Sequence, residues 1–130
     1  MKTELTNTAT ILGNYNSIPT EISTQALVVT MLNGLTATKT ADKMVWSDGI
    51  LTYTIMISNQ TDVAYTEPVI TDLLDINLIT LVDNSIMVDG VKLEAEKYTW
   101  DKATGKLTIK LSDINAKDTK TITFEVSKKI

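Results

Sequence analysis

The strictest constraint on the fold is the segment Leu51–Ile57, in which apolar and polar residues alternate. Its odd-numbered positions are Leu, Tyr, Ile and Ile, and its even-numbered positions are Thr, Thr and Met. A period of two is the mark of a β-strand with one buried face. Residues 59–62, NQTD, have turn chemistry, and a second strand follows that ends at Asp72. The segment therefore predicts strand, turn, strand.

Short runs of the same kind recur along the rest of the chain, with turn signals about every 8–12 residues. Asp89-Gly90 is a two-residue hairpin signal, and Gly105 suits a turn position with positive φ. Pro68 predicts an edge strand or a bulge, and Leu73–Val82 is ambiguous between strand and irregular chain. No segment has a convincing helical period. The pattern predicts an all-β, antiparallel β-sandwich.

The inward-facing residues of the three clearest strands are predicted to form one core between two sheets. These residues are Tyr53, Ile55, Ile57, Leu107, Ile109, Ile122, Phe124 and Val126.

Composition excludes several functions. The 130 residues suffice for one domain, or one domain with an extension. Without cysteine there is no disulfide or thiolate metal site, and without histidine the commonest general base is missing. The net charge is −4 and every cationic residue is lysine, so nucleic acid is not an expected partner. No apolar run approaches the roughly 20 residues of a membrane span. We expect no enzyme, no metal and no cofactor.

Two acidic pairs and the scattered aromatic residues have plain structural explanations. Asp72 with Asp75, and Glu94 with Glu96 on a predicted strand, could hold calcium or act as an acid and a base, but calcium-loop spacing is absent and a solvated acidic face is favoured. The aromatic residues share no evident sugar-binding face. Trp100 is predicted to be a cross-strand partner.

The first 34 residues differ from the remainder, and the chain divides near Asn33-Gly34 into an extension, residues 1–34, and a sandwich, residues 35–130. In the extension, Leu5, Ala9 and Ile11 alternate, Gly13–Pro19 is a predicted loop, and Ser23–Leu32 is a predicted strand that is apolar on both faces. Two strands cannot build a core alone, so they must lie on this domain's own sandwich or on another subunit's. The predicted assembly interface is Leu5, Ala9, Ile11, Ala26, Leu27, Val28, Val29, Met31 and Leu32.

The stretch beginning at Gly49 also carries a family resemblance. The pattern G-x-x-x-Y-x-I-x-x-x-N, from Gly49 to Asn59, is followed by Thr71-Asp72 and by Asn84-Ser85-Ile86 with Asp89-Gly90. Thr104–Leu107 and a last strand, Thr119–Val126, complete the matching pieces. Together these resemble the bacterial "conserved repeat" domain, the domain-of-unknown-function family numbered eleven, over about residues 35–130. In one departure, residues 73–77, LLDIN, replace the family's usual proline-glycine turn.

This resemblance implies an immunoglobulin-like sandwich that serves as a structural module of surface proteins. Some proteins that resemble the family are subunits of spore appendages, which are released by lysis of the mother cell and need no secretion signal. No secretion signal is visible in this sequence. A mature fragment with an added methionine would have the same appearance. We expect a homopolymer on the outside of a cell or spore, joined head to tail by strands of the extension. The alternative is a surface or S-layer-type adhesion module that recognises a protein or glycan.

Lys39 and Asp72 raise a separate hypothesis. Bacterial surface sandwiches can carry an internal amide crosslink between a buried lysine and a neighbouring carboxyl or amide group, with an acid nearby as proton shuttle. An unpaired buried lysine would be costly. Asp72 is the carboxyl candidate, and Asn59, Asn77 and Asn115 are amide candidates. The alternative is an exposed Lys39 between two threonines.

Overall fold

The computed structural model describes residues 9–15, 17–23, 30–32, 34–43 and 49–128. This part of the chain is almost entirely β: it contains twelve strands and one short 3₁₀ turn, Ala95–Lys97. The prediction of an all-β sandwich is confirmed. In chain order the strands are β1 (Ala9–Tyr15), β2 (Ile18–Ser23), β3 (Thr30–Leu32), β4 (Leu35–Ala41), β5 (Ile50–Asn59), β6 (Tyr65–Leu73), β7 (Ile79–Leu81), β8 (Met87–Val88), β9 (Val91–Lys92), β10 (Tyr98–Asp101), β11 (Lys106–Lys110) and β12 (Asp118–Lys128).

The strands form two antiparallel sheets that pack face to face. The first sheet has the order β10-β11-β6-β1-β2, and the second has the order β3-β4-β5-β12-β8-β9, with β7 also paired to β12. No helix in the part that the structure describes is long and apolar enough to cross a membrane.

The core lies between the sheets and contains the inward face that the alternation predicts. All eight predicted core residues are buried in one cluster, and Phe124 lies against Tyr53 with their ring centroids 5.5 Å apart. The prediction of a single core is confirmed. The same cluster includes Ala9, Ile11 and Ile22 from the first two strands, so residues 1–34 contribute to the core of their own chain.

Pro68 lies at an irregularity of the sheet, as the sequence predicts. Pro68 lies in β6, which is an interior strand, at a bulge where Glu67 has φ 51° and donates its backbone N–H to Asp113. The register confirms the bulge, since Leu12 faces Val69 whereas Asn14 faces Thr66. Of the two alternatives for Pro68, the bulge is correct and the edge strand is wrong.

The Asp89-Gly90 hairpin joins β8 to β9, and both of its turn residues have positive φ. At Gly105, whose φ is 82°, a Cβ would lie 2.2 Å from the carbonyl oxygen of Leu74, so glycine is required there. Leu73–Val82 resolves into the end of β6, a turn and the short strand β7.

Two expectations about residues 1–34 need correction. The predicted loop Gly13–Pro19 is mostly strand, since Gly13 pairs with Thr20 and Asn14 with Pro19 in the β1–β2 hairpin. Its small and polar residues suggested a loop, but main-chain pairing beside β6 holds them extended. Within the predicted strand Ser23–Leu32, Ser23 ends β2 and Thr30 begins β3 on the opposite sheet; residues 24–29 lie outside the described residues.

Candidate functional site

Strand alternation turns Lys39 and Asp72 towards each other across the sandwich. On β4 the inward positions are Leu35, Ala37 and Lys39. On β6 they include Ile70 and Asp72, and Asp72 pairs with Ala9 on one side and Leu107 on the other. Because β4 belongs to the second sheet and β6 to the first, the two charged side chains meet between the sheets.

The two groups form a buried ion pair. Lys39 Nζ donates to Asp72 Oδ2 at 2.5 Å, and the side chains are only 2% and 0% exposed. The ammonium also lies 4.3 Å from the ring centroid of Tyr53 and 5.5 Å from that of Phe124. The pair therefore sits in an aromatic pocket within the apolar core, where cation–π contacts add to the attraction between the charges.

Burial sets the electrostatics of this pocket. Loss of hydration lowers the pKa of Lys39, and the charge and hydrogen bond of Asp72 oppose that shift. Burial, and secondarily the charge of Asp72, raises the pKa of Tyr53 to about 12. An isolated lysine here would be driven towards its neutral amine, and the carboxylate is what favours the ammonium.

Of the two alternatives for Lys39, a buried and an exposed side chain, the structure shows the buried one. Asp72 is the candidate acceptor that lies beside it. Asn77 lies in an exposed turn, where its backbone N–H donates to Asp75. Asn59 is buried elsewhere, in a cluster that also uses the backbone carbonyl of Asn115.

That second cluster is neutral and closes the loop between β5 and β6. The Asn59 side-chain nitrogen donates to the carbonyls of Val63 and Ile114, at 2.8 and 3.0 Å, and lies 3.3 Å from that of Asn115. Its side-chain oxygen accepts from the backbone N–H and the hydroxyl of Thr61, at 3.0 and 2.6 Å. Asn59 is 0% exposed, so the cluster replaces its water contacts with protein ones.

Tyr65 and Gly13 join the β1–β2 hairpin to the rest of the sandwich. The fully buried Tyr65 donates its hydroxyl to the carbonyl of Thr20 at 2.8 Å and lies 3.2 Å from that of Ile11. A Cβ on Gly13 would lie 2.7 Å from the Tyr65 ring, so the ring fits only against glycine. Burial raises the pKa of Tyr65 to about 12, which keeps the hydroxyl a donor. Sequence reasoning missed this contact, because nothing local links Gly13 to a tyrosine 52 residues away.

The predicted assembly residues fall into three groups. Ala9 and Ile11 are buried in the core of their own chain, at 1% and 0% exposure. Met31 and Leu32 lie in β3, whose backbone pairs with β4. Leu5, and Ala26 through Val29, lie outside the described residues.

The acidic pairs do not form sites. Asp72 is buried while Asp75 is an exposed turn residue, so these two carboxylates are separated. The prediction that Glu94 and Glu96 lie on one strand is wrong: Glu94 immediately precedes the 3₁₀ turn that contains Glu96, because the chain bends between β9 and β10. Within the described ranges, no cluster of three acidic side chains could hold a metal ion.

The aromatic residues occupy separate positions. Trp100 pairs across strands with Leu107, as predicted, and Tyr53 belongs to the core. Trp46 lies outside the described residues.

Comparison with known proteins does not identify a family for this arrangement. No family model, curated protein or solved structure matches the chain. The resemblance to the conserved repeat domain therefore stays an expectation, and the function has to be inferred from the fold and from the buried groups.

Proposed function

We propose that this chain is a structural subunit that assembles head to tail into a filament on the outside of a bacterial cell or spore. The observation that carries the proposal is the position of the N-terminal hairpin in the first sheet. β1 lies between β6 and β2, so the strands from residue 35 onward leave β6 with an open edge that the hairpin fills. A sheet edge filled by a strand from one end of the chain is the arrangement that strand donation needs.

The contacts between the hairpin and the rest of the sandwich include buried apolar residues and contacts that fix the strand register. It buries Ile11 and Ile22, which at roughly 1.5–3 kcal/mol each represent a gross gain of about 3–6 kcal/mol, and it adds main-chain pairing from Ala9 to Tyr15. The Tyr65 hydroxyl and the close fit at Gly13 fix the register. Association costs are of similar size, so a durable fibre would use several such contacts for each subunit.

Exchange of the hairpin between copies would keep all of these contacts. The hairpin is connected to the rest of the domain by residues 24–29, between β2 on the first sheet and β3 on the second. If each copy passes its hairpin to the next, the interface is heterologous, and such interfaces give open filaments when they do not close into a ring.

Paired cysteines test whether the hairpin acts within or between chains. Thr10 on β1 faces Thr71 on β6, and the native chain has no cysteine. Directly opposed residues of antiparallel strands are within reach of a disulfide. In the variant with Thr10→Cys and Thr71→Cys, oxidation of assembled protein should give a ladder of covalent multimers on a non-reducing gel, and negative-stain microscopy should show filaments.

The matched control is Thr71→Cys with Thr108→Cys, since Thr108 faces the same residue from β11. Both of these strands belong to residues 35–130, so this disulfide should give monomers only. If the Thr10 variant also gives monomers only, the hairpin does not connect subunits and the filament proposal fails. A ladder that stops at dimers would indicate a closed exchange and contradict a head-to-tail filament.

One observation favours the alternative, an adhesion or binding module on the cell surface. In a single chain the hairpin already pairs with its own β6 and completes its own core. This alternative predicts a monomer at high concentration and monomeric products from both cysteine variants.

A further inference from the structure

Lys39 and Asp72 face each other within the buried core, with their reactive groups in contact. Lys39 Nζ is hydrogen-bonded to Asp72 Oδ2 at 2.5 Å, which places the nitrogen next to Cγ, the carbon that carries that oxygen. Both side chains are almost fully buried. Reactants that are held in an aligned near-attack geometry reach effective molarities of about 10⁵–10⁸ M.

We propose that Lys39 and Asp72 condense to an amide that covalently joins β4 of the second sheet to β6 of the first. This inference is independent of the filament proposal, because both residues belong to the 35–130 sandwich and the bond lies within one chain. The amide would link the two sheets covalently in a protein that has no cysteine and therefore no disulfide.

The step balances without any further reactant. Along the existing hydrogen bond, the Lys39 ammonium passes one proton to Asp72 Oδ2, which gives a neutral amine and a carboxylic acid. The nitrogen lone pair forms the N–Cγ bond, a second proton moves from Nζ to the leaving hydroxyl, and the Cγ–O bond breaks. Water leaves with that electron pair, and one hydrogen stays on the amide nitrogen.

The surroundings favour this direction of reaction. In water the condensation is slow because the amine is protonated and the acid ionised; burial penalises both charged forms. Burial lowers the pKa of Lys39, and the Tyr53 and Phe124 rings cover the nitrogen. The product amide carries no charge, so the desolvation cost of the ion pair is removed, and a core without bulk water disfavours hydrolysis.

The intact mass of the folded full-length protein, measured after denaturation, tests the proposal directly. We expect a mass about 18 Da below the sequence mass, for the loss of one water. Trypsin should leave Lys39 uncut, and tandem mass spectrometry should find residues 3–43 joined to residues 44–92, which contain Asp72.

Variants locate the bond. Lys39→Arg keeps the charge but removes the nucleophilic amine, so its mass should equal its own sequence mass. Lys43→Arg is the matched control: Lys43 also pairs with an aspartate, Asp42, at 3.4 Å, but that pair is exposed, and the deficit should persist. Asp72→Asn should still react and, by losing ammonia, give the same product mass as the native chain.

Two results would overturn the proposal. One is a native protein with its full sequence mass and a folded circular dichroism spectrum. The other is a deficit that persists in Lys39→Arg, since it would then arise elsewhere, for example from dehydration at Asp89-Gly90, which the variant retains.

Discussion

Within the described residues, the Asn59–Thr61 cluster and the Lys39–Asp72 pair both bury polar side chains, but they compensate the loss of water in different ways. The Asn59–Thr61 cluster is neutral, and each of its side chains is matched to backbone groups of the neighbouring loops. The Lys39–Asp72 pair is charged and is enclosed by aromatic rings in the middle of the core. A neutral, fully bonded cluster holds a loop at little electrostatic cost, whereas a buried ion pair is weak evidence for stability. The contrast makes the Lys39–Asp72 pair the natural place to test the proposed amide.

The largest effect should come from Asp72→Ala. It leaves Lys39 buried without its carboxylate, and the loss of one partner of a buried pair costs about 3–5 kcal/mol. Where the two side chains are joined by the proposed amide, the variant loses that bond as well. Denaturant unfolding measures the change. The double variant Lys39→Met, Asp72→Leu should regain part of the loss but stay below the native protein, and a double variant more stable than the native chain would show that the pair adds nothing.

Removal of the aromatic wall should be similarly severe. Phe124 is fully buried and lies against both Tyr53 and the Lys39 ammonium. Phe124→Ala should lower the free energy of unfolding by about 3–5 kcal/mol through the cavity that it leaves. A measured loss below about 1 kcal/mol would place Phe124 outside the core, and Phe124→Leu is the milder comparison.

Disruption of the neutral cluster should cost less. Asn59→Ala removes the acceptor of the Thr61 backbone N–H and one of the two donors to each of the carbonyls of Val63 and Ile114. We expect a loss of about 2–3 kcal/mol, since an unsatisfied buried group costs about 1–3 kcal/mol and further hydrogen bonds are lost with it. The intact-mass deficit should be unchanged in this variant. A loss as large as that of Asp72→Ala would remove the distinction between the clusters.

Tyr65→Phe should have a smaller effect, with a pH signature. It removes a hydrogen bond to the hairpin, worth about 0.5–1.5 kcal/mol. The folded pKa of Tyr65 is raised to about 12, above the usual value near 10, so its contribution is complete below about pH 10 and is lost as the pH rises towards 12. Spectrophotometric titration of the native protein and the variant checks this; a Tyr65 that titrates near pH 10 would contradict it.

The exposed pair Lys43–Asp42 should contribute least to stability. Lys43 and Asp42 are 45% and 44% exposed, and water screens such pairs almost completely. Lys43→Ala should leave the melting temperature unchanged within error. A marked drop would mean that exposure does not distinguish this pair from Lys39–Asp72.

Much of the fold could be predicted because period two is a local property. The alternation predicts the inward faces of β5 and β12, and the Asp89-Gly90 turn is confirmed with its positive φ values. The loop predicted at Gly13–Pro19 was wrong because main-chain pairing, rather than side-chain polarity, keeps those residues extended.

The candidate site could be predicted only in part from the sequence. The inward run of Leu35 and Ala37 indicates that Lys39 faces the core, and the approach to Asp72 was a hypothesis among several acceptors. The contact between Tyr65 and Gly13 has no sequence signal at all, since it depends on β1 lying beside β6.

By itself, the sequence determined the class of fold and which face of each clear strand is buried, because alternation and turn residues act over only a few positions. Only the tertiary structure decided which strands are neighbours and which inward residues meet across the two sheets. A period of two specifies the side on which a residue lies but not what is opposite it. Lys39 and Asp72, 33 residues apart, became partners through the packing of one sheet on the other.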